Sequence, residues 1–131
     1  SSLNFGRIIS TEGIENIVVV LNHDDEQSVM AALVMSAAVA STGDQVLLFI
    51  QPGGAKIVAK GGLEKYQGLK GQPDPVELLD AIQVLDGRVI LCELGLPIWE
   101  IQKEDLIDDV EVMMASTFLF EAEGAKMTFS Y

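Results

Sequence analysis

The chain has 131 residues, of which 49% are apolar and 21% charged, a balance that suits one globular domain and excludes a disordered chain. Its net charge of −12 repels phosphate backbones and anionic headgroups, so neither nucleic acid nor a membrane surface is expected as a partner. One cysteine cannot close an internal disulfide, and a lone thiol in a sequence without a basic-then-apolar secretory signal fits the cytoplasm.

Residues 1–15 contain Gly6 and Gly13 and no sustained period, and read as an extended leader to a single domain over 1–131. The run from Asn16 to Leu21 is continuous and β-branched, as in a strand buried on both faces of a parallel sheet. Asn22, His23, Asp24 and Asp25 break that run and supply capping groups for a helix over Glu26–Thr42. From Met30 to Ala40 this helix is apolar nearly all round, which predicts a subunit contact. Ser36 interrupts that stretch, which is also shorter than the roughly 20 residues needed to cross a bilayer.

Gly43 and Asp44 end the helix, and Gln45 to Ile50 form a second buried strand. Pro52, Gly53 and Gly54 turn the chain into a short helix near Ala55–Lys60. They lack the Gly-x-Gly-x-x-Gly and Gly-Lys-Ser/Thr patterns of a phosphate cradle, so an ordinary tight turn is expected. A long loop follows, punctuated by Gly61, Gly62, Gly68, Gly71, Pro73 and Pro75, and loops of that length in small domains are often functional.

Asp74 and Pro75 open a helix over Val76–Leu85, in which Val76, Leu79, Ile82 and Leu85 recur at helical spacing. Asp86 and Gly87 stop it, and Arg88 to Cys92 form the third strand. Gly95, Leu96 and Pro97 start another short helix, with Ile98, Trp99 and Ile101 expected to pack inward, and Lys103–Ile107 adds a turn. A fourth strand over Val110–Met114, a helix over Ser116–Glu123 and a last strand over Ala125–Tyr131 complete the chain. The acids at Glu104, Asp105, Asp108, Asp109 and Glu111 read as a solvated face. The sum is a three-layer α/β/α sandwich with a mainly parallel five-stranded sheet, whose strand order the pattern leaves open.

Open parallel sheets gather reactive groups beyond the carboxyl ends of their strands, and Cys92 stands at such an end. Free amides in the Leu94–Pro97 turn are suited to holding a sulfur anion, whereas Glu93 next door disfavours one. A free cysteine is also among the residues most often buried as filler. His23, at the end of the first strand, is a candidate partner for the thiol, with Asn22, Gly53, Gly54, Glu93, Gly95 and Trp99 as possible site neighbours. One cysteine and one histidine are too few soft ligands for a metal site, and no cofactor motif occurs.

Cys92 followed by Glu93–Trp99, then Glu100–Glu111, then Ala115–Leu119, resembles the DsrE/DsrF/DsrH-like sulfur-relay family. The Ala/Met-rich first helix, the Gly43 turn, the Val46–Ile50 strand and the Gly53–Gly54 loop resemble it as well. The resemblance implies a trimer or hexamer in which Cys92 carries sulfane sulfur as a persulfide or thiosulfonate, without metal or organic cofactor. It also implies a TusA-like carrier as partner. The contrasting expectation is a noncatalytic oligomeric binding or assembly module in which Cys92 is buried and inert, and a third is a small-molecule site built on the glycine loop.

Overall fold

The computed structural model describes residues 13–131, so most of the expected leader lies outside the described residues. Five strands, β1 (Asn16–Leu21), β2 (Gln45–Ile50), β3 (Arg88–Cys92), β4 (Val110–Met113) and β5 (Met127–Ser130), form one sheet in the order β4-β3-β2-β1-β5. Every pairing is parallel, so the sheet expected to be mainly parallel is wholly so. Four α-helices connect the strands: α1 (Glu26–Ser41), α2 (Pro75–Val84), α3 (Gly95–Trp99) and α4 (Ala115–Glu121).

The chain steps from β1 to β4 in one direction across the sheet and returns in a single crossover to β5 at the other edge. A parallel crossover has a fixed hand, so the reversal moves the connecting helix to the opposite face. Accordingly α1, α2 and the start of α3 pack on the face carrying Val19, Leu21, Leu48, Ile50 and Leu91. On the other face, α4 lies alone over Val18, Leu47, Phe49, Ile90 and Cys92.

Local chemistry explains the helix ends. The Asp25 carboxylate accepts the Ser28 amide at 3.0 Å and caps α1. Asp74 does the same for α2 through Val76 N at 2.8 Å, with Pro75 preset for the first turn. Just past the end of α2, Asp86 takes a φ of 67°, and at Gly87 a Cβ would sit 2.5 Å from the Ile82 side chain. The buried stripe of α2 is Leu78, Leu79 and Ile82; Val76, expected inside, is exposed, because the helix is rotated to turn Leu78 onto the core.

Much of the apolar surround of α1 is accounted for within the chain itself. Half of its sixteen residues are buried between the sheet and α2, and Val34 is its only large apolar side chain more than a third exposed. Small side chains at Ala32, Ser36 and Ala40 fill this buried face, and the Ser36 hydroxyl is enclosed with no hydrogen-bond partner among the described residues.

The short helix placed near Ala55–Lys60 is a 3-10 helix over Pro52–Val58. After α3 the chain is fastened to its end: Ile107 N donates to Val58 O at 2.9 Å and Lys60 N to Asp105 O at 2.7 Å. Two of the acids read as a solvated face have structural work. Asp105 accepts the Gln102 amide at 3.0 Å, and Glu111 makes a two-pronged contact with Arg88 at 2.7 and 2.8 Å.

Candidate functional site

Cys92 is the last residue of β3 and is held in register opposite Met113 of β4. Side chains alternate along a strand, so Arg88, Ile90 and Cys92 share one face, the one covered by α4. Cys92 is free but only 4% exposed, packed in a cluster with Phe49 and Phe118. Those two rings stack with centroids 3.9 Å apart and planes within 4°.

β3 hands the chain to α3 on one face and β4 hands it to α4 on the other. The carboxyl ends of these neighbouring strands are therefore the point where connections diverge, the place at which open α/β sheets form their crevice. Beyond Cys92, the Glu93 amide donates to Met113 O at 2.9 Å and the Leu96 amide to Glu93 O at 3.1 Å. Pro97 has no N–H. Of the turn expected to offer free donors, the Leu94 and Gly95 amides are the ones without an acceptor among the described residues.

The other sequence-selected residues gather on the neighbouring strand ends. Asn22 Oδ1 accepts the Gly53 amide at 3.0 Å, and the Gly53 α-carbon lies so close to the Asn22 carbonyl that a Cβ would come within 1.9 Å of it. Gly54 packs over Leu21 and the His23 carbonyl. Asn22, His23, Gly53 and Gly54 form one knot joining the ends of β1 and β2.

α3 is fastened to the same region. A Cβ on Gly95 would sit 2.9 Å from the Ala55 Cβ, and Trp99 Nε1 donates to Pro52 O at 2.6 Å. Trp99 does not pack inward as expected, nor does Ile98; they are 40% and 57% exposed. A five-residue helix ending in a left-handed Glu100 is too short to bury that face, and the indole finds its polar partner at the surface instead.

β2 lies between β1 and β3, so the ends carrying His23 and Cys92 are separated by two strand spacings, about 10 Å. No hydrogen bond among the described residues joins His23 or Glu93 to the thiol. Cys92 is thus flanked by aromatic and aliphatic side chains on one face of the sheet, while Gly95, Trp99 and the Asn22–Gly54 knot lie at the strand ends toward the other.

Three contributors escaped sequence reading. Lys56 places its ammonium 4.0 Å from the centre of the Trp99 ring. Arg88 bridges Glu111 and Glu121, joining β3 and β4 to α4, and the Glu111 carboxyl is held below its ordinary range chiefly by the Arg88 hydrogen bonds. Phe118 is buried in the same apolar cluster as Cys92 and stacks on Phe49. The one available signal was parity, which sets Arg88 on the same strand face as Cys92. No group of three or more His, Cys, Asp or Glu side chains suited to a metal ion occurs among the described residues. Among them, too, no helix is long and apolar enough to cross a membrane.

No family model matches the chain, and no curated protein matches its sequence. Solved structures do match. The crystal structure of the ychN protein from E. coli superposes with a TM-score of 0.71 at 16% identity, covering 91% of this chain and 100% of that chain. The structure of MTH1491, a protein of unknown function from Methanobacterium thermoautotrophicum, gives 0.69 at 12% identity, covering 89% of this chain and 99% of that chain. At these identities the likeness shows a shared fold over nearly the whole of each molecule.

Proposed function

We propose that the protein is a sulfur carrier or sulfurtransferase of the DsrE/DsrF type, with Cys92 as the residue that bears the sulfur. The observation that carries this reading is the position of the chain's one cysteine at the carboxyl end of β3, where connections diverge to opposite faces of the sheet. The family-like pattern of residues after Cys92 and the fold shared with ychN support it.

In the proposed cycle the Cys92 thiolate attacks the sulfane sulfur of a donor. The donor's S–S bond breaks, its thiolate leaves with the electron pair, and Cys92 holds a persulfide. An acceptor thiolate then attacks the outer sulfur and Cys92 departs as thiolate, so the cycle transfers one sulfur with no net redox change, metal or organic cofactor. The unpaired Leu94 and Gly95 amides are the nearest backbone donors in sequence for the anionic sulfur. In this reading the chain works in the cytoplasm as a trimer or hexamer, and its acidic surface steers a TusA-like carrier with a basic face. Exposed apolar side chains at Leu94 and Ile98 beside α3, and at Leu119 and Phe120 on α4, supply contact area for such partners.

One observation favours a second reading, a noncatalytic assembly module. Cys92 is enclosed by apolar side chains, as inert core cysteines are. Intact mass after incubation with polysulfide, thiosulfate or tetrathionate separates the two. Sulfur carriage requires an adduct that is lost in Cys92→Ser: a persulfide from polysulfide, or from thiosulfate with release of sulfite, or a thiosulfonate from tetrathionate with release of thiosulfate; an unmodified wild-type protein whose native thiol also resists alkylation supports the assembly module.

A further inference from the structure

We propose that a second site, independent of Cys92, lies between the glycine loop and α2 and binds a short aliphatic amine. A groove of about 280 Å³ opens there, just below the usual range for pockets that take drug-sized ligands. Its floor is apolar: Ile57, Leu63 and Leu79 come from the core cluster opposite Cys92, and Ile107 joins them in the lining. One wall is bare backbone. Gly61 holds a φ of 81°, and a Cβ on Gly62 would strike the Lys56 carbonyl at 1.9 Å, so this wall presents no side chains to fill the opening.

The polar rim is of one sign. Glu77 and Asp80 stand three residues apart on α2, and Glu64 faces them from the loop. None of these carboxylates has a hydrogen-bonding or ion-pair partner among the described residues, and no lysine or arginine lines the groove. The remaining polar group, the Gln83 amide, is committed to Asp108 O at 3.0 Å.

An anionic ligand is repelled by such a rim. A neutral apolar one would partly desolvate three carboxylates and give them nothing in return. An ammonium on a methylene chain satisfies both surfaces, with carbon on the floor and charge at the rim. A short unbranched amine also fits within the volume.

The test is an amide NMR titration with pentylamine, with pentanol and glutarate as the neutral and anionic counterparts. Expected are saturable shifts confined to residues 59–64 and 76–83, with pentanol about tenfold weaker and glutarate silent. Glu77→Gln combined with Asp80→Asn weakens the amine about tenfold. Val76→Trp, at an exposed helix position, fills the groove and abolishes binding while leaving remote amide shifts in place. Cys92→Ser leaves binding unchanged, so failure here is distinguishable from failure of sulfur carriage. Non-saturable shifts spread over the acidic surface, or equal affinity in the charge-depleted variant, would overturn the proposal.

Discussion

Phe118→Ala tests whether α4 is the cover that controls access to Cys92. Phe118 is the single buried residue of α4, 4% exposed and stacked on Phe49, so it anchors a seven-residue helix that has little else to hold it. Truncating a buried phenylalanine costs about 3–5 kcal/mol. If about 3 kcal/mol of that is local closure of α4 over the sheet, the open population rises about a hundredfold. Native-state alkylation reads this directly, because no other thiol exists in the chain. The expected result is labelling about a hundredfold faster, with the far-UV spectrum of the sheet retained. Glu121→Gln is the mild counterpart: it removes the Arg88 contact at 3.3 Å between side chains 30% and 42% exposed. At about 0.5 kcal/mol it should speed labelling about twofold. A folded Phe118→Ala protein labelled at the wild-type rate would refute the cover and show that reagents reach the sulfur by another path.

Three further outcomes follow from local geometry. Ser36→Ala removes a buried hydroxyl without a partner and improves helix propensity, so urea unfolding should show a gain of about 1 kcal/mol; a loss would mean the hydroxyl is satisfied in solution. Gly53→Ala drives a Cβ against the Asn22 carbonyl and should cost about 2 kcal/mol, with amide shifts centred on the ends of β1 and β2; a neutral change would show that this knot is loose. The Ser28 hydrogen bond lowers the folded carboxyl of Asp25, so its contribution is present above the unfolded carboxylate pKa and is lost as pH falls through the lower folded value. Asp25→Ala should therefore be less stable than wild type near neutrality and converge on it in acid, and a gap that widens in acid would contradict the cap.

The interior of the sheet was legible because β1, β2 and β3 are covered on both faces, and such strands read as unbroken apolar runs. Their residue limits in the structure are those expected. β4 and β5 lie at the sheet edges, are half exposed, and have weaker patterns, which is why their predicted ends overran by one or two residues. Strand order was out of reach, since alternation of elements specifies connections and not neighbours. The same limit applied to the site. Cys92 could be placed at a strand end, but Phe49, Phe118 and Met113 reach it only through register and through the crossover that lays α4 on the second face. His23 illustrates the converse: it shares an edge with Cys92 in any parallel sheet, yet the order places β2 between them. Trp99 looked like core because it is large and apolar, while its indole N–H and the brevity of α3 kept it at the surface.

Sulfur carriage requires release as well as loading, and single-turnover transfer from loaded protein is its most direct measurement. Protein charged with polysulfide, freed of excess reagent and mixed with a small thiol acceptor should return to its unmodified mass as the acceptor gains the sulfur, with Cys92→Ser transferring none. Loading absent at Cys92, or an adduct that persists against excess acceptor in the folded protein, would contradict the account.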